Sequence, residues 1–207
     1  MAQKDQNPSQ EVVTEPGTGL FPNIFEPKAV KINGIDQGDP KYSMELLFES
    51  KEEVASVMQA VQGLLKQRFP KRNKSELRMP LTSGDQKAIK QEEKGQDAEF
   101  YKGKIILKAS SKYAPGVVDQ SMNKIIDPKE VYSGAQFRAH ILLKTYETGD
   151  NAGVTAYLMN VMKTADGEKL VGGKSAQQAF ADFATTGQST NVDPTAGADD
   201  DDDMPWA

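Results

Sequence analysis

The 207-residue chain contains no cysteine. Disulfides, thiolate zinc sites, iron–sulfur clusters and cysteine nucleophiles are thereby excluded. Its single histidine, His140, rules out multi-histidine metal sites and leaves at most one imidazole for proton transfer. No apolar run approaches the roughly 18 residues that a membrane-spanning helix requires. The opening MAQKDQNPSQEVVTEPGTG lacks the hydrophobic stretch of a signal peptide. These absences lead us to expect a soluble protein of the reducing cytoplasm with no membrane partner.

Charge is present but unevenly placed. The formal net charge is −5, yet six acids and no base fall between Thr185 and Ala207. Without that end, 24 acids face 25 Lys and Arg. Val61 to Pro115 alone carries thirteen bases against six acids. A mildly basic body with a separable acidic end is a different object from a uniformly acidic protein.

Composition divides the chain into three. Residues 1–19 are polar, punctuated by Pro8, Pro16, Gly17 and Gly19, and read as a flexible arm. Residues 185–207 are poor in apolar side chains and rich in Gly, Thr, Pro and Asp, and read as a disordered acidic tail. Residues 20–184 are patterned and form one domain. Its dominant period is two: KYSMELLFE (41–49) puts Tyr42, Met44, Leu46 and Phe48 on one face. Strands are also predicted within 20–30, 99–110, 135–147 and 153–163, the last two joined as a hairpin by the turn residues of TGDNAG (148–153). Helical spacing marks 51–69, with Ser50 as its N-cap, and a shorter helix at 175–183. Many strands interrupted by helices predict a mainly β fold, an OB-fold-like small β-barrel with helical insertions.

Enzymatic signatures fail on spacing. GEKLVGGKS (167–175) resembles a phosphate-binding loop, but five residues separate Gly167 from Gly173 where the motif needs four before its Gly-Lys pair. No Ser-His-Asp set, carboxylate pair or Mg²⁺-holding cluster is nominated, so neither catalysis nor a cofactor is expected.

Basic and aromatic residues interleave instead. Tyr101, Lys102, Lys104, Lys108, Lys112 and Tyr113 do so around the third strand. In the fourth, Arg138, His140, Lys144 and Tyr146 share one face, while Phe137, Ala139, Ile141 and Leu143 point to the core. The loop QRFPKRNKSELR adds Arg68, Lys71, Arg72 and Lys74. Cations that follow phosphates, set among rings that stack on bases, suit single-stranded nucleic acid. The other reading is a solvated strand face.

The tail closes on Asp199, Asp200, Asp201, Asp202 and Asp203 followed by Met204, Pro205 and Trp206, the only tryptophan. An aromatic beyond an acidic run is suited to anchoring in a basic partner pocket, with the carboxylates steering approach. A protein-interaction adaptor built on this tail is the alternative function.

Asp201-Asp202-Asp203-Met204-Pro205-Trp206 resembles the acidic tip of bacterial single-stranded DNA-binding proteins, which end Asp-Asp-Asp-Ile-Pro-Phe; here Ala207 follows the aromatic. The body is similar to phage-encoded single-stranded DNA-binding proteins, a divergent OB-fold family. The matching stretches, in order, are PNIFEPK (22–28), KYSMELLF (41–48), PLTSGDQK (80–87), ASSKYAPGVVD (109–119), YSGAQFRAHILLKTY (132–146) and GVTAYLMNVMKTADGEKLVGG (153–173). The resemblance implies sequence-independent single-stranded DNA binding in phage replication, recombination or repair, in the host cytoplasm, without catalysis. Its tail would recruit replication or recombination proteins.

Overall fold

Alternation of apolar and polar residues builds most of this molecule. The computed structural model describes residues 7–32, 35–96, 98–149 and 151–170, all within the compact unit Met1–Val171. In chain order these form β1 (Ser9–Val13), β2 (Gly17–Ile32), β3 (Ile35–Phe48), α1 (Ala55–Arg68), β4 (Leu81–Ser83), α2 (Gly84–Glu92), β5 (Ile105–Ser111), β6 (Gly116–Val118), β7 (Gln136–Thr148) and β8 (Asn151–Ala165). The fold is mainly β with helical insertions, as the periodicity predicts.

The strands make one eight-stranded sheet in the order β4-β5-β3-β2-β7-β8-β6, with β1 added to β7. All pairings are antiparallel except β6 with β8. β7 and β8 form the predicted hairpin, turning after the Thr148↔Asn151 pair. Gly149 takes φ +56° there, a conformation open to glycine without a Cβ clash.

The sheet curls without closing through a ladder. β5 and β8 instead face one another across a seam, which among the described residues is stitched at one backbone bridge. Arg78, just ahead of β4, forms a parallel bridge with Gly153 of β8. The Arg78 N–H donates to the Ala152 carbonyl and the Val154 N–H to the Arg78 carbonyl, both at 2.9 Å. Only glycine permits this approach: a Cβ at Gly153 would lie 2.1 Å from the Arg78 carbonyl oxygen.

The main core lies inside the curl. Met44, Leu46 and Phe48 of β3, Leu107 and Ala109 of β5, and Phe137, Ala139, Ile141 and Leu143 of β7 are all buried in it. One stripe of α1, comprising Val57, Ala60, Val61, Leu64 and Leu65, packs against the same cluster. Each such aliphatic side chain, fully buried, contributes about 1.5–3 kcal/mol. A smaller cluster of Leu20, Leu47, Ala88, Ala98, Tyr101 and Ile106 forms where α2 and the turn at Glu99–Tyr101 are joined to the sheet.

Four expectations change. Residues Ser9–Val13, read as part of a flexible arm, are a strand in register with His140–Lys144. Thr14 fixes its end: its N–H donates to the Ala139 carbonyl at 2.9 Å, and its hydroxyl accepts from the Ala139 N–H at 3.0 Å. Second, the Ser50 hydroxyl does accept the Glu53 N–H, but this caps a turn, and α1 starts only at Ala55. Third, Glu99–Tyr101 is a 3-10 turn, so β5 begins at Ile105. Fourth, α2 is absent from the expected elements, because its polar sequence GDQKAIKQE shows little apolar periodicity. The helix expected at 175–183, the domain end at 184 and the acidic tail lie outside the described residues, as does most of the phosphate-loop near-match.

Candidate nucleic-acid interface

The seam between β5 and β8 holds a cleft of about 460 Å³. Its cations are Arg78, Lys87 and Lys108, its ring is Tyr146, and its one carboxylate is Glu45. Strand alternation explains the arrangement. On β5, Leu107 and Ala109 point inward, so Lys108 points out. On β7, Leu143 and Thr145 are buried, so Lys144 and Tyr146 face out. The register sets Lys144 opposite Thr155 and Leu142 opposite Tyr157, so the half-exposed Tyr157 stands on the same outer face as Tyr146.

Charge within the cleft is unbalanced towards positive. Glu45 is occupied by Lys87 in a close ion pair, and the Lys87 ammonium also sits 4.4 Å from the centre of the Tyr101 ring. Lys108 and Arg78 are exposed, and neither side chain has an ion-pair partner among the described residues. Two uncompensated cations beside a ring in a concave, partly apolar channel are the combination of groups that suits a phosphate backbone and its bases.

The other predicted residues are distributed as follows. Tyr113 is 83% exposed in the loop beyond β5, free to stack. Lys112 beside it is held by Asp39 at 2.9 Å. Their hydrogen bond and mutual attraction lower the Asp39 carboxyl and raise the Lys112 ammonium. Lys102 is gripped by Glu99 at 2.8 Å and Glu92 at 3.0 Å, and these hydrogen bonds push its pKa up. Lys104 pairs with Glu49 and lines a separate hollow against α1. Neither lysine enters the cleft.

Arg68 and Arg72 both clasp Glu147, at 3.0 and 3.1 Å, with the Phe69 ring lying near both guanidinium groups. They brace the end of α1 against β7. Lys71 and Lys74 are exposed in the following loop. Arg138 donates to the Thr14 carbonyl and to Glu15, each at 3.0 Å. His140 lies 3.2 Å from Glu11 through Nε2 and 3.0 Å from the Asn160 amide through Nδ1. These two side chains therefore fasten the N-terminal segment to β7, at the end of the strand away from the cleft.

Tyr101 requires correction. It is 1% exposed, packed in the smaller core cluster with its hydroxyl 3.4 Å from Glu45. Burial, then the Glu45 charge, drives its pKa well above the usual tyrosine range. A ring so enclosed cannot stack on a base.

Arg78 and Lys87 are cleft residues that the sequence reading misses, and Tyr157, on the adjoining outer face, is a ring that it also misses. Tyr157 is accessible from the alternation of GVTAYLMNVMK, in which it falls on the polar parity. Lys87 sits on α2, which carries little periodic signal, and Arg78 reaches the site only because Gly153 admits its backbone.

Fold and site together define a class: an OB-like β domain with a cation-and-ring cleft at its open seam. The chain belongs to the family of the Enterobacter phage Enc34 ssDNA-binding protein, whose family model matches residues 10–192. That span includes most of β1. Among solved structures, the single-stranded DNA-binding protein of bacteriophage Enc34 in complex with ssDNA superposes with a TM-score of 0.59 at 20% identity, covering 78% of this chain and 89% of that one. A C-terminal truncation of the same phage protein gives a TM-score of 0.58 at 21% identity, covering 77% of this chain and 88% of the other. The single-stranded DNA-binding protein gp2.5 of bacteriophage T7 gives 0.50 at 15% identity, covering 93% and 100%. At these identities the structural likeness establishes a shared fold. No curated protein matches the chain in sequence.

Proposed function

We propose that this protein binds single-stranded DNA without regard to sequence, laying the strand along the seam cleft and the adjoining outer face of β7 and β8. The observation that carries this reading is the set of Arg78, Lys108 and Tyr146 in one channel. Arg78 and Lys108 neutralise phosphates, while Tyr146, Tyr157 and Tyr113 offer faces to bases, each stack contributing about 1–3 kcal/mol. Because every base has a π-face and every nucleotide a phosphate, such contacts are blind to sequence. Duplex DNA hides its bases and loses the stacking contribution.

In this reading the protein coats single strands during phage DNA replication, recombination or repair in the host cytoplasm, shielding them from nucleases and re-annealing. It acts as a binder and performs no chemistry on the strand. The tail, Asp199–Asp203 with Met204, Pro205 and Trp206, competes with DNA for the cationic surface and recruits partners. Two features support this: its charge complements the cleft, and its tryptophan closely follows the acids.

Nuclease protection tests the reading. A labelled oligo-dT saturated with the protein should survive a single-strand-specific nuclease, and removal of residues 185–207 should tighten binding. An unprotected strand would overturn the coating role. Unchanged or weaker binding by the truncated protein would overturn tail competition.

A further inference from the structure

Beyond the seam cleft, β2 carries a backbone irregularity. Between the Leu20↔Glu45 and Asn23↔Ser43 pairs, β2 holds one more residue than β3, a bulge of the kind that re-aims a side chain. Phe21 sits in it with φ +47°. This left-handed conformation is a genuine outlier for a bulky residue. Pro22 follows, and a proline ring further restricts the residue before it. The strained backbone is held from outside the strand: the Phe21 N–H donates to the Ser133 hydroxyl at 3.0 Å.

The strain does not bury the ring. Leu20 is 0% exposed and Ile24 is 1% exposed, whereas Phe21 between them is 40% exposed. It borders a hollow of about 240 Å³ with Asn23, Lys28, Ser43, Glu45 and Lys108. Glu45 and Lys108 also line the seam cleft, so the two hollows adjoin, with Lys108 and Glu45 between them. Phe21 thus lies across Lys108 from Tyr146, and the exposed Lys28 extends the line of cations past it. A conformation that costs stability and presents an apolar ring to water beside two lysines needs a functional return.

We infer that Phe21 is a base-stacking platform of the single-stranded DNA site, held open by the β2 bulge and positioned by Ser133, and that the bound strand continues past Lys108 to Lys28. This inference rests on the proposed DNA-binding function and names a binding residue for it.

The test uses the full chain with two probes, oligo-dT and a phosphodiester oligomer of equal length made of abasic sites. Phe21→Asn removes the ring while tolerating the left-handed backbone. Phe21→Leu keeps apolar bulk without a ring, and Phe21→Trp restores one. Both ringless variants should bind oligo-dT about tenfold more weakly than wild type, a loss of the size expected for one base stack. They should bind the abasic oligomer like wild type, and Phe21→Trp should retain oligo-dT affinity. Equal losses on both probes would assign Phe21 a purely structural role, and unchanged oligo-dT binding would remove it from the site; either overturns this inference while leaving DNA binding intact. A wild-type protein that ignores oligo-dT would overturn both readings.

Discussion

Replacing Gly153 by alanine tests how the site is assembled. The added Cβ would sit 2.1, 2.7 and 2.8 Å from the carbonyl oxygen, nitrogen and carbonyl carbon of Arg78. All three are backbone atoms, so no side-chain rotation relieves the overlap. The segment must retreat by about 1 Å or more to reach ordinary van der Waals separation, which breaks both 2.9 Å hydrogen bonds that tie Arg78 to β8. Each is worth about 0.5–1.5 kcal/mol net, together about 1–3 kcal/mol. Stiffening of the unfolded chain by alanine offsets about 0.4–1 kcal/mol. The loss exceeds the gain, leaving a destabilisation of about 1–2 kcal/mol and a Tm lower by about 2–8 °C. Because Arg78 and Met79 line the cleft, affinity for oligo-dT should fall as well, by about tenfold or ~1.4 kcal/mol. Thermal unfolding by circular dichroism and an anisotropy titration read the two effects. An unchanged or raised Tm would refute the stitching role of the bridge, and a lowered Tm with full affinity would separate the seam from the DNA site.

Further outcomes follow from individual side chains. Tyr146→Ala should weaken oligo-dT binding by about 1–3 kcal/mol, whereas Arg138→Ala should disturb stability before affinity, since its hydrogen bonds go to Thr14 and Glu15; titration and melting together check the contrast. Lys108→Gln should make the dependence of log K on log salt shallower by about 0.7 for each phosphate that is no longer neutralised, measured by titration over a salt series. Tyr101 gives a pH signature. Its folded pKa is raised, so the unfolded chain loses the phenolic proton first, and the stability it contributes is present below about pH 10 and lost as pH rises above it. Tyr101→Phe should therefore flatten the alkaline loss of stability in denaturant melts, and an unaltered pH profile would contradict the assignment.

The legible parts of the fold are those written in local periodicity. The inward face of β7 (Phe137, Ala139, Ile141 and Leu143) follows from strict alternation and is fully buried. The hairpin after it follows from Gly149. Parts that depend on remote partners are not legible. Ser9–Val13 has a mostly exposed burial pattern, and its strand character comes from pairing with His140–Lys144 far along the chain. The cleft divides the same way. That Lys108 and Tyr146 face outward is legible, because alternation tells which side chains do. Tyr101 misleads because its ring-and-lysine neighbourhood looks like a stacking site until α2 and the Ala98 turn enclose it. For Lys102, Arg68 and Arg72, composition counts the cations without showing the carboxylates that hold them. The channel depends on two strand edges meeting across the curl, which no local pattern encodes.

The most direct test is a fluorescence-anisotropy titration of labelled oligo-dT, against duplex of equal length, at two salt concentrations, for wild type and for Arg78→Ala with Lys108→Ala. The account predicts tight, salt-sensitive binding with strong preference for the single strand, and a large fall in both affinity and salt sensitivity in the double variant. Equal binding to single strand and duplex, or a double variant indistinguishable from wild type, would contradict the seam cleft as the DNA site.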